Sequence, residues 1–390
     1  MTIIKNFRII LTKSQAVFLP EQSVEGIVQF NIVEKFETTG VFLEVTGLSY
    51  VVVEEKHGKS RNGVVSQHTS LERYCHTKID LATKGGAAFP LTTGTYQYPF
   101  ATQLPDELPT SFEGENGCTR YYLRAYILRE SQGQLEFLLP FTIISVFNLN
   151  ESPYAMRSEE AEDVQMVSCC TSGSVKTKLK LSKIGYVPGE IIQLDGECDN
   201  QSQNALKTVF LDLIMNVTLK ATNKEHSVQR SVKTWHLHEI QGNTTLSLDN
   251  IQLVVPPLPP SGSRFCNNID VHYCLQLTAK VSSGVCCKVS VGLIIGNLPL
   301  ELGNSQFAEQ EDTDDIGSIE AQLPENLRSL VRKTSCVPAF RNSGIFSVTL
   351  DHHFPLSDEH VNNHHVPVPL QCPGIQWHPS YLCFVEKTKK

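Results

Sequence analysis

Few residues of this chain have the types and spacing that catalysis or metal binding requires. His236 and His238 stand two positions apart in Trp235-His-Leu-His-Glu239, so both imidazoles would project from one face of an extended strand and could share a metal ion. No third ligand at a telling spacing accompanies them, and an exposed strand face explains them better. Gly58-Lys-Ser60 ends like a phosphate-binding loop, but Val53 stands where that loop needs a glycine.

The sequence also lacks the motifs of the common catalytic classes. It contains no Gly-x-Ser-x-Gly nucleophile turn, no His-Glu-x-x-His helix and no glycine-rich dinucleotide loop. The net charge of -8 argues against a nucleic-acid binder that acts through its overall charge. We therefore predict that the protein is not an enzyme, has no cofactor or metal site, and does not bind nucleic acid.

A row of lysines is the most suggestive charged feature. Lys176, Lys178 and Lys180 alternate with apolar residues and so share one strand face, and Lys183 continues the basic stretch. Such a row could meet anionic lipid headgroups, at ~1 kcal/mol per residue near a membrane surface. It could equally meet phosphorylated peptide tails, or it could be a solvated strand in which lysine discourages edge pairing.

The elements that must position these residues are strands. Residues of Val175–Leu181, Arg120–Leu128 and Val271–Leu277 alternate between apolar and polar, which is the period of a half-buried strand. Glycine and proline clusters punctuate the strands at short intervals, and amphipathic helix patterns are scarce before residue 300. The pattern predicts an all-β protein built from antiparallel β-sandwiches.

A weak internal repeat indicates two sandwiches in tandem. Phe18-Leu-Pro resembles Tyr186-Val-Pro, and the Leu-Pro steps of 104–109 resemble Val255-Pro-Pro-Leu-Pro-Pro260. We expect the domains at 1–150 and 173–300, joined by a polar linker at 151–172. Residues 301–390 are acidic and then rich in His and Pro, so we expect a mostly disordered tail, with short docked pieces as an alternative.

Cysteine usage and hydropathy favour a soluble intracellular protein. The 12 cysteines form no disulfide framework, so we expect Cys118, Cys266 and Cys274 to be reduced. The short apolar run at the N-terminus is interrupted by Lys5 and Arg8 and resembles neither a secretory signal nor a spanning segment. No other stretch approaches the ~20 apolar residues that a spanning helix needs.

Three blocks in order resemble the arrestin family, in its α-arrestin (arrestin domain-containing) branch. They are Gly94–Tyr122, Gly185–Ser202 and Val255–Pro299. The prolines of the first block exclude a helix and favour a rigid, extended crossing between strands. The family motif residues are Pro99, Phe100, Leu108, Pro109, Phe112, Gly114, Arg120, Pro188, Gly189, Glu190, Pro256, Pro257, Pro259 and Pro260. The resemblance implies two immunoglobulin-like sandwiches, the arrestin fold, without a cofactor.

The resemblance also implies a function. It predicts a cytoplasmic adaptor that associates peripherally with the plasma membrane or endosomes and binds membrane-protein cargo tails for trafficking, endocytic sorting or ubiquitination. A retromer-like coat scaffold that shares the fold is an alternative. A thioredoxin-binding regulator is another alternative. The resemblance implies that the thioredoxin-binding member of the family uses a specific cysteine in its C-terminal domain, and we match no such cysteine between Asn200 and Val255.

Members that recruit HECT-type ubiquitin ligases usually do so by Pro-Pro-x-Tyr motifs, which WW domains read. The nearest approach here is His378-Pro379-Ser380-Tyr381, which lacks the first proline, so we expect binding to be weak. The acidic segment 301–320 could dock in cis on Lys176, Lys178 and Lys180.

Overall fold

The computed structural model describes residues 3–57, 64–129, 133–166, 173–249, 251–281, 286–301, 305–308, 323, 325, 328–329, 332, 336–343, 348–349 and 376–386. Strands dominate these residues, and a 3-10 turn covers Leu149–Glu151. The prediction of an all-β protein is confirmed. Gly58-Lys-Ser60 and most of 301–320 lie outside the described residues.

The first domain is a sandwich of two sheets. Its strands are β1 (Ile4–Leu11), β2 (Val17–Phe18), β3 (Ser23–Ile32), β4 (Phe36–His57), β5 (Val64–Thr83), β6 (Phe89–Leu91), β7 (Gly94–Gln103), β8 (Phe112–Glu113), β9 (Gly117–Arg129) and β10 (Gly133–Ile143). One sheet has the order β1-β3-β7. The other has the order β2-β10-β9-β4-β5, with β6 on β4 and β8 on β9. Alternate residues of β3, such as Val24, Val28 and Phe30, fill the core between the sheets.

The second domain repeats the plan. Its strands are β11 (Glu159–Met166), β12 (Ser174–Leu181), β13 (Gly185–Tyr186), β14 (Ile191–Ile192), β15 (Leu194–Asn200), β16 (Leu206–Ala221), β17 (Lys224–His236), β18 (Thr244–Ser247), β19 (Leu253–Val254), β20 (Ile269–Val281) and β21 (Cys286–Ile295). The sheets have the orders β11-β12-β15-β18 and β13-β21-β20-β16-β17, and β14 pairs with β19. The prediction of two tandem antiparallel sandwiches is confirmed.

The internal repeat corresponds to equivalent geometry in the two domains. Phe18 and Tyr186 lie in the two-residue strands β2 and β13, and each pairs in parallel with the last strand of its own sandwich. The Tyr121 hydroxyl donates to the carbonyl oxygen of Pro109 at 2.7 Å, and the Tyr273 hydroxyl donates to that of Pro259 at 2.9 Å. Each proline run therefore supplies a carbonyl oxygen that accepts the hydroxyl of a tyrosine on the long central strand, and this bond anchors the tyrosine.

The polar junction contains more structure than its composition predicts. Within 151–172, expected as a linker, residues Glu159–Met166 form β11, which pairs with β12 over eight positions. The segment is polar because β11 is an edge strand whose outward side chains include Glu160 and Glu162, and this polarity is why the sequence predicted a linker. The predicted crossing at 94–122 is also shorter than expected, since Gly94–Gln103 is itself strand β7.

The two domains interlock. Val51 and Val53 on β4 and Phe112 on β8 pack in the core of the second domain. The buried side chain of Asn297 accepts from the amide of Phe147 at 2.6 Å and donates to the carbonyl of Ser145 at 2.7 Å. The resulting interface combines apolar packing with buried hydrogen bonds.

The tail residues that the structure describes are short docked pieces, as the sequence allowed. Two pairs of short strands form in the tail: β22 (Cys336–Asn342) with β25 (Ser380–Glu386), and β23 (Val348–Thr349) with β24 (Gln376–Trp377). Tyr381 to Val385 are all buried, so β25 is covered on both faces. Five consecutive residues that are apolar or carry an aromatic ring bury enough surface to order this segment against the domains.

Candidate functional site

The lysine row is flanked by carboxylates and does not form a basic patch. Lys176 pairs with Glu162 at 3.2 Å and Lys178 pairs with Glu160 at 2.9 Å, both on β11. On the other side, β15 places Asp199, Glu197 and Asp195 opposite Lys176, Lys178 and Lys180. On this face the two neighbouring strands carry five carboxylates, which outnumber the three lysines: Glu160, Glu162, Asp195, Glu197 and Asp199. The lysine row therefore belongs to a face of mixed charge with a net negative balance, and binding of anionic lipid or phosphorylated cargo there stays a prediction.

Lys183 does not belong to that face. Its ammonium is paired with the carboxylate of Glu190, and that carboxylate is fully buried. The same ammonium donates to Ser305 Oγ at 3.0 Å and lies 5.0 Å from the centre of the Tyr186 ring. Glu190 also accepts from the amide of Val187 at 3.1 Å. Lys183 therefore has a structural role in this fold, which does not favour the prediction that it binds lipid or phosphate.

The family motif supplies a buried ion pair in the first domain. Arg120 on β9 donates through Nε and Nη2 to the two carboxylate oxygens of Glu113, at 2.5 and 2.7 Å. Burial raises the pKa of Glu113, and the guanidinium of Arg120 opposes that rise. A bidentate pair of this geometry fixes both side chains. The sequence singled out Arg120 but did not identify Glu113 as its partner.

The other family motif residues have structural positions. Phe100, Leu108 and Phe112 are buried in the domain cores, and Pro99 lies exposed on β7. Pro109 and Pro259 provide the tyrosine acceptors, whereas Pro256, Pro257 and Pro260 are partly exposed and Gly114 directly follows β8.

The histidines and cysteines that the sequence singled out form no reactive site in the described residues. His236 and His238 are exposed. Groups of three or more residues that could hold a metal ion are absent from the described part of the chain. Cys118, Cys266 and Cys274 are free thiols, and burial raises the pKa of Cys118 to about 12. No helix within the described ranges is long and apolar enough to span a membrane.

The C-terminal segment 376–386, which we term the strap, crosses from one domain to the other. Trp377 packs against Leu48, Tyr122 and Leu138 on the outer face of the first domain. The amide of Ser380 donates to Thr142 Oγ1 at 3.2 Å, and the Tyr381 hydroxyl donates to the carbonyl oxygen of Ser111 at 3.0 Å.

The second half of the strap lies against the second domain. The amide of Phe384 donates to the carbonyl oxygen of Pro188 at 2.9 Å, and the amide of Glu386 donates to that of Ala308 at 3.1 Å. Phe384 is fully buried in a cluster that also contains Val187 and Leu298.

The candidate WW motif is part of the strap. Pro379 is buried, and Tyr381 is only 3% exposed, with its hydroxyl bound to Ser111. A WW groove must contact both side chains, so the docked strap does not present the motif. The predicted WW-binding residues His378, Pro379, Ser380 and Tyr381 thus lie in a docked segment, and their recognition by a WW domain stays a prediction.

Strand β1 offers an open sheet edge. In the described part of the chain it pairs only with β3. The other edge of the same sheet is β7, where Pro99 has no amide to donate. A cross-strand row of Ile10, Ile27 and Pro99 is exposed on the outer face of this sheet. Of the two edges, β1 is therefore the one that suits addition of a further strand.

Comparison with known proteins agrees with this architecture. The profile of the arrestin (or S-antigen) N-terminal domain matches residues 7–150, and the profile of the arrestin (or S-antigen) C-terminal domain matches residues 171–307. These matches lie on the two sandwiches, in the same order.

The curated relatives of this chain are named arrestin domain-containing proteins. The chain is 28% identical over 309 residues to arrestin domain-containing protein 17 of Caenorhabditis elegans, covering 75% of this chain and 72% of the relative. It is 31% identical over 241 residues to arrestin domain-containing protein 1 of Homo sapiens, covering 58% and 51%. It is 25% identical over 318 residues to arrestin domain-containing protein 5 of Bos taurus, covering 77% and 93%. The chain thus spans about half of the human relative and most of the bovine one.

Both arrestin domains, in order on two sandwiches of one plan, show that this chain belongs to the arrestin family of adaptors, in the branch of the arrestin domain-containing proteins.

Proposed function

We propose that this protein is a cytoplasmic adaptor that binds the cytosolic tails of membrane proteins and directs them to sorting or ubiquitination machinery. The open edge of β1, in an N-terminal arrestin domain, is the observation that carries the proposal. Peptide tails without tertiary structure expose the amides and carbonyls that a free strand edge needs. Strand addition would therefore supply affinity without a deep pocket.

The register of β1 identifies which of its amides would receive a tail. Thr12 donates to the carbonyl of Glu25 across the pair with β3. Because antiparallel residues alternate between bonded and non-bonded pairs, the amide of Leu11, opposite Gly26, points toward the free edge. Lys5 and Arg8 are exposed on the same strand and favour acidic or phosphorylated tails.

Ligase recruitment is a second step in this proposal. The motif at His378–Tyr381 is engaged in the strap, so a WW domain would bind only after the strap has left its seat. We therefore place cargo capture at β1 and any WW-dependent recruitment at a released tail, as separate events on separate surfaces.

A substitution at the free edge tests cargo capture. Leu11→Pro removes the outward amide, whereas Leu11→Ala keeps it and removes a similar part of the side-chain packing. We expect proximity labelling in cells to recover at least tenfold less membrane-protein cargo with Leu11→Pro than with the wild type, and an unchanged amount with Leu11→Ala. The Tm values of the two variants should agree within a few degrees. Equal recovery by the two variants would refute binding at β1.

A further inference from the structure

We propose that the open edge of β17 pairs with the same strand of a second copy of this chain, so that the protein forms a dimer with two-fold symmetry. The partner is a second copy because the edge is complementary to itself about Gln229. The dimer joins two second domains and uses no residue of β1, so it is independent of the proposed cargo site.

The other long edges are less suited to pairing with a copy of themselves. Among the described strands of the second domain, β17 is the longest with an open edge, because it pairs only with β16. Edge β5 of the first domain is partly engaged, since the carbonyl of Thr69 accepts from the amide and hydroxyl of Thr222. Two copies of edge β11 would repel each other, because it carries a run of acids: Glu159, Glu160, Glu162 and Asp163.

The pairing of β16 with β17 shows which backbone groups reach the open edge. The amide of Lys220 donates to the carbonyl of Asn268 at 2.8 Å, so Lys220 and Glu225 form a non-hydrogen-bonded pair of the β16–β17 ladder. Bonded and non-bonded pairs alternate from there along the strand. The amides and carbonyls that point away from β16 are therefore those of four residues with exposed side chains: Glu225, Ser227, Gln229 and Ser231.

The open edge is palindromic about Gln229. Antiparallel pairing about a two-fold axis at Gln229 places this residue opposite its own copy and Ser227 opposite Ser231 of the other copy. All three residues point their amides and carbonyls at the partner, so each of these pairs is a hydrogen-bonded pair. The pairing would form about six backbone hydrogen bonds between small polar side chains that are already exposed.

Charge and strand geometry select Gln229 as the centre of the pairing. A centre at Ser227 would place Lys224 opposite Arg230 of the other copy, and like charges directly opposite are destabilising. A centre at Ser231 would run the pairing through Val232, the extra residue of a bulge in the β16–β17 ladder. The centre at Gln229 avoids both, because it places Arg230 opposite an apolar residue, Val228.

The first domains lie at opposite ends of such a dimer. Thr222, at the tip of the β16–β17 hairpin, contacts Thr69 of the first domain, and Lys224 pairs with Glu55 at 2.8 Å. Antiparallel pairing points the two hairpin tips in opposite directions, so each first domain stays at its own end. The two five-stranded sheets then join into one sheet with five strands from each copy, a size that open sheets reach.

Cross-linking of the full-length protein tests the register. In a hydrogen-bonded antiparallel pair the two Cα atoms lie ~5.5 Å apart, within the range that a disulfide spans. Gln229→Cys, oxidised mildly with copper phenanthroline, should therefore give at least tenfold more disulfide-linked dimer on a non-reducing gel than Ser227→Cys. Ser227→Cys is the matched control, because its two thiols would lie ~13 Å or more apart. The wild type under the same oxidation gives the background from the native cysteines.

Sedimentation velocity measures the dimer without a cross-link. Gln229→Pro removes an amide that points at the partner and costs the ladder with β16 no bond, whereas Gln229→Ala keeps that amide. We expect the wild type and Gln229→Ala to dimerise with equal Kd between about 1 and 100 μM, and Gln229→Pro to dimerise at least tenfold more weakly. A wild type that stays monomeric over this range, a dimer that Gln229→Pro leaves unchanged, or equal cross-linking of the two cysteine variants would overturn the proposal.

Discussion

At the scale of single residues, the pair of Arg120 and Glu113 shows how the family motif stabilises the first domain. Glu113 is fully buried and Arg120 is 9% exposed, so each charge depends on the other for its solvation. The sequence singled out Arg120 as a family motif residue. It did not identify the acid that pairs with Arg120, because Glu113 sits in a two-residue strand that alternation does not detect.

Removing one partner of this pair should be strongly destabilising. Arg120→Ala leaves the carboxylate of Glu113 buried without its cation, and we expect a loss of about 3–5 kcal/mol in the free energy of unfolding. The urea midpoint of the full-length protein measures the loss.

The double variant is the control for that prediction. Glu113→Leu with Arg120→Met replaces the pair by apolar groups and should recover most of the lost stability, since no buried charge remains. A double variant as unstable as Arg120→Ala would show that the loss comes from packing instead of the uncompensated charge.

The lysine row gives a second prediction at this scale. Because Glu160 and Glu162 pair with Lys178 and Lys176, the row has little free positive charge to offer a membrane. Lys176→Gln with Lys178→Gln should therefore change the affinity for vesicles with anionic lipid by less than twofold. Sedimentation with such vesicles at low salt checks this, and a fall of tenfold would restore the row as a membrane surface.

At the scale of elements, regular alternation was predictable and irregular strands were not. The strands that cover the cores have one buried face, as β12 does, and the period of two reveals them. Strand β25 is buried on both faces, so Tyr-Leu-Cys-Phe-Val shows a continuous apolar run in place of alternation. That run was the available signal, and the His-rich and Pro-rich composition around it concealed it. The two-residue strands β2 and β13 are too short to show a period, and the repeat was the signal that the sequence offered for them.

The carboxylate of Asp163 links β11 to the opposite sheet. Asp163 accepts from the amide of Lys288 at 3.0 Å and from the thiol of Cys287 at 3.2 Å, both on β21. Burial alone would raise the pKa of Asp163, but these hydrogen bonds outweigh burial and lower it below its ordinary value. The carboxylate form is thus favoured in the folded protein.

The lowered pKa fixes the sign of a pH dependence. An acid whose pKa falls on folding stabilises the protein above its unfolded pKa, and this contribution disappears as the pH falls through the folded pKa. Asp163→Ala should therefore cost about 1–2 kcal/mol near pH 7 and progressively less below pH 4. Thermal unfolding of both proteins between pH 3 and 7 measures the difference, and a pH-independent difference would contradict the role of the charge.

At the scale of the whole molecule, two sandwiches, their interlocked faces and the strap form one body. The sequence predicted the two domains, because each has its own alternating strands and proline run. It could not predict how they meet, since Asn297 and Val53 contribute to the interface only through the tertiary fold. The position of the strap depends likewise on contacts with both domains.

The interface should couple the unfolding of the domains. Asn297→Ala removes the hydrogen bonds to Phe147 and Ser145, and we expect a loss of about 1–3 kcal/mol from the buried partners left unpaired. Asn216→Ala, on the outer side of β16, removes a bond from exposed Gln229 and a 3.8 Å bond to Cys274 Sγ, both within the second domain, and serves as the control. Calorimetry should show a broadened or split transition for Asn297→Ala alone. Identical transitions for both variants would argue against coupling through this residue.

Hydrogen exchange on the full-length protein tests cargo capture at β1 most directly. A synthetic peptide of a membrane-protein tail recovered by the wild type but lost by Leu11→Pro is added, and amide protection is measured along the chain by mass spectrometry. Strand addition predicts new protection in the peptides that contain Ile4–Leu11, centred on the outward amide of Leu11, with the core of β9 unchanged. Binding without added protection in Ile4–Leu11, or with protection confined to the second domain, would contradict the proposed adaptor mechanism.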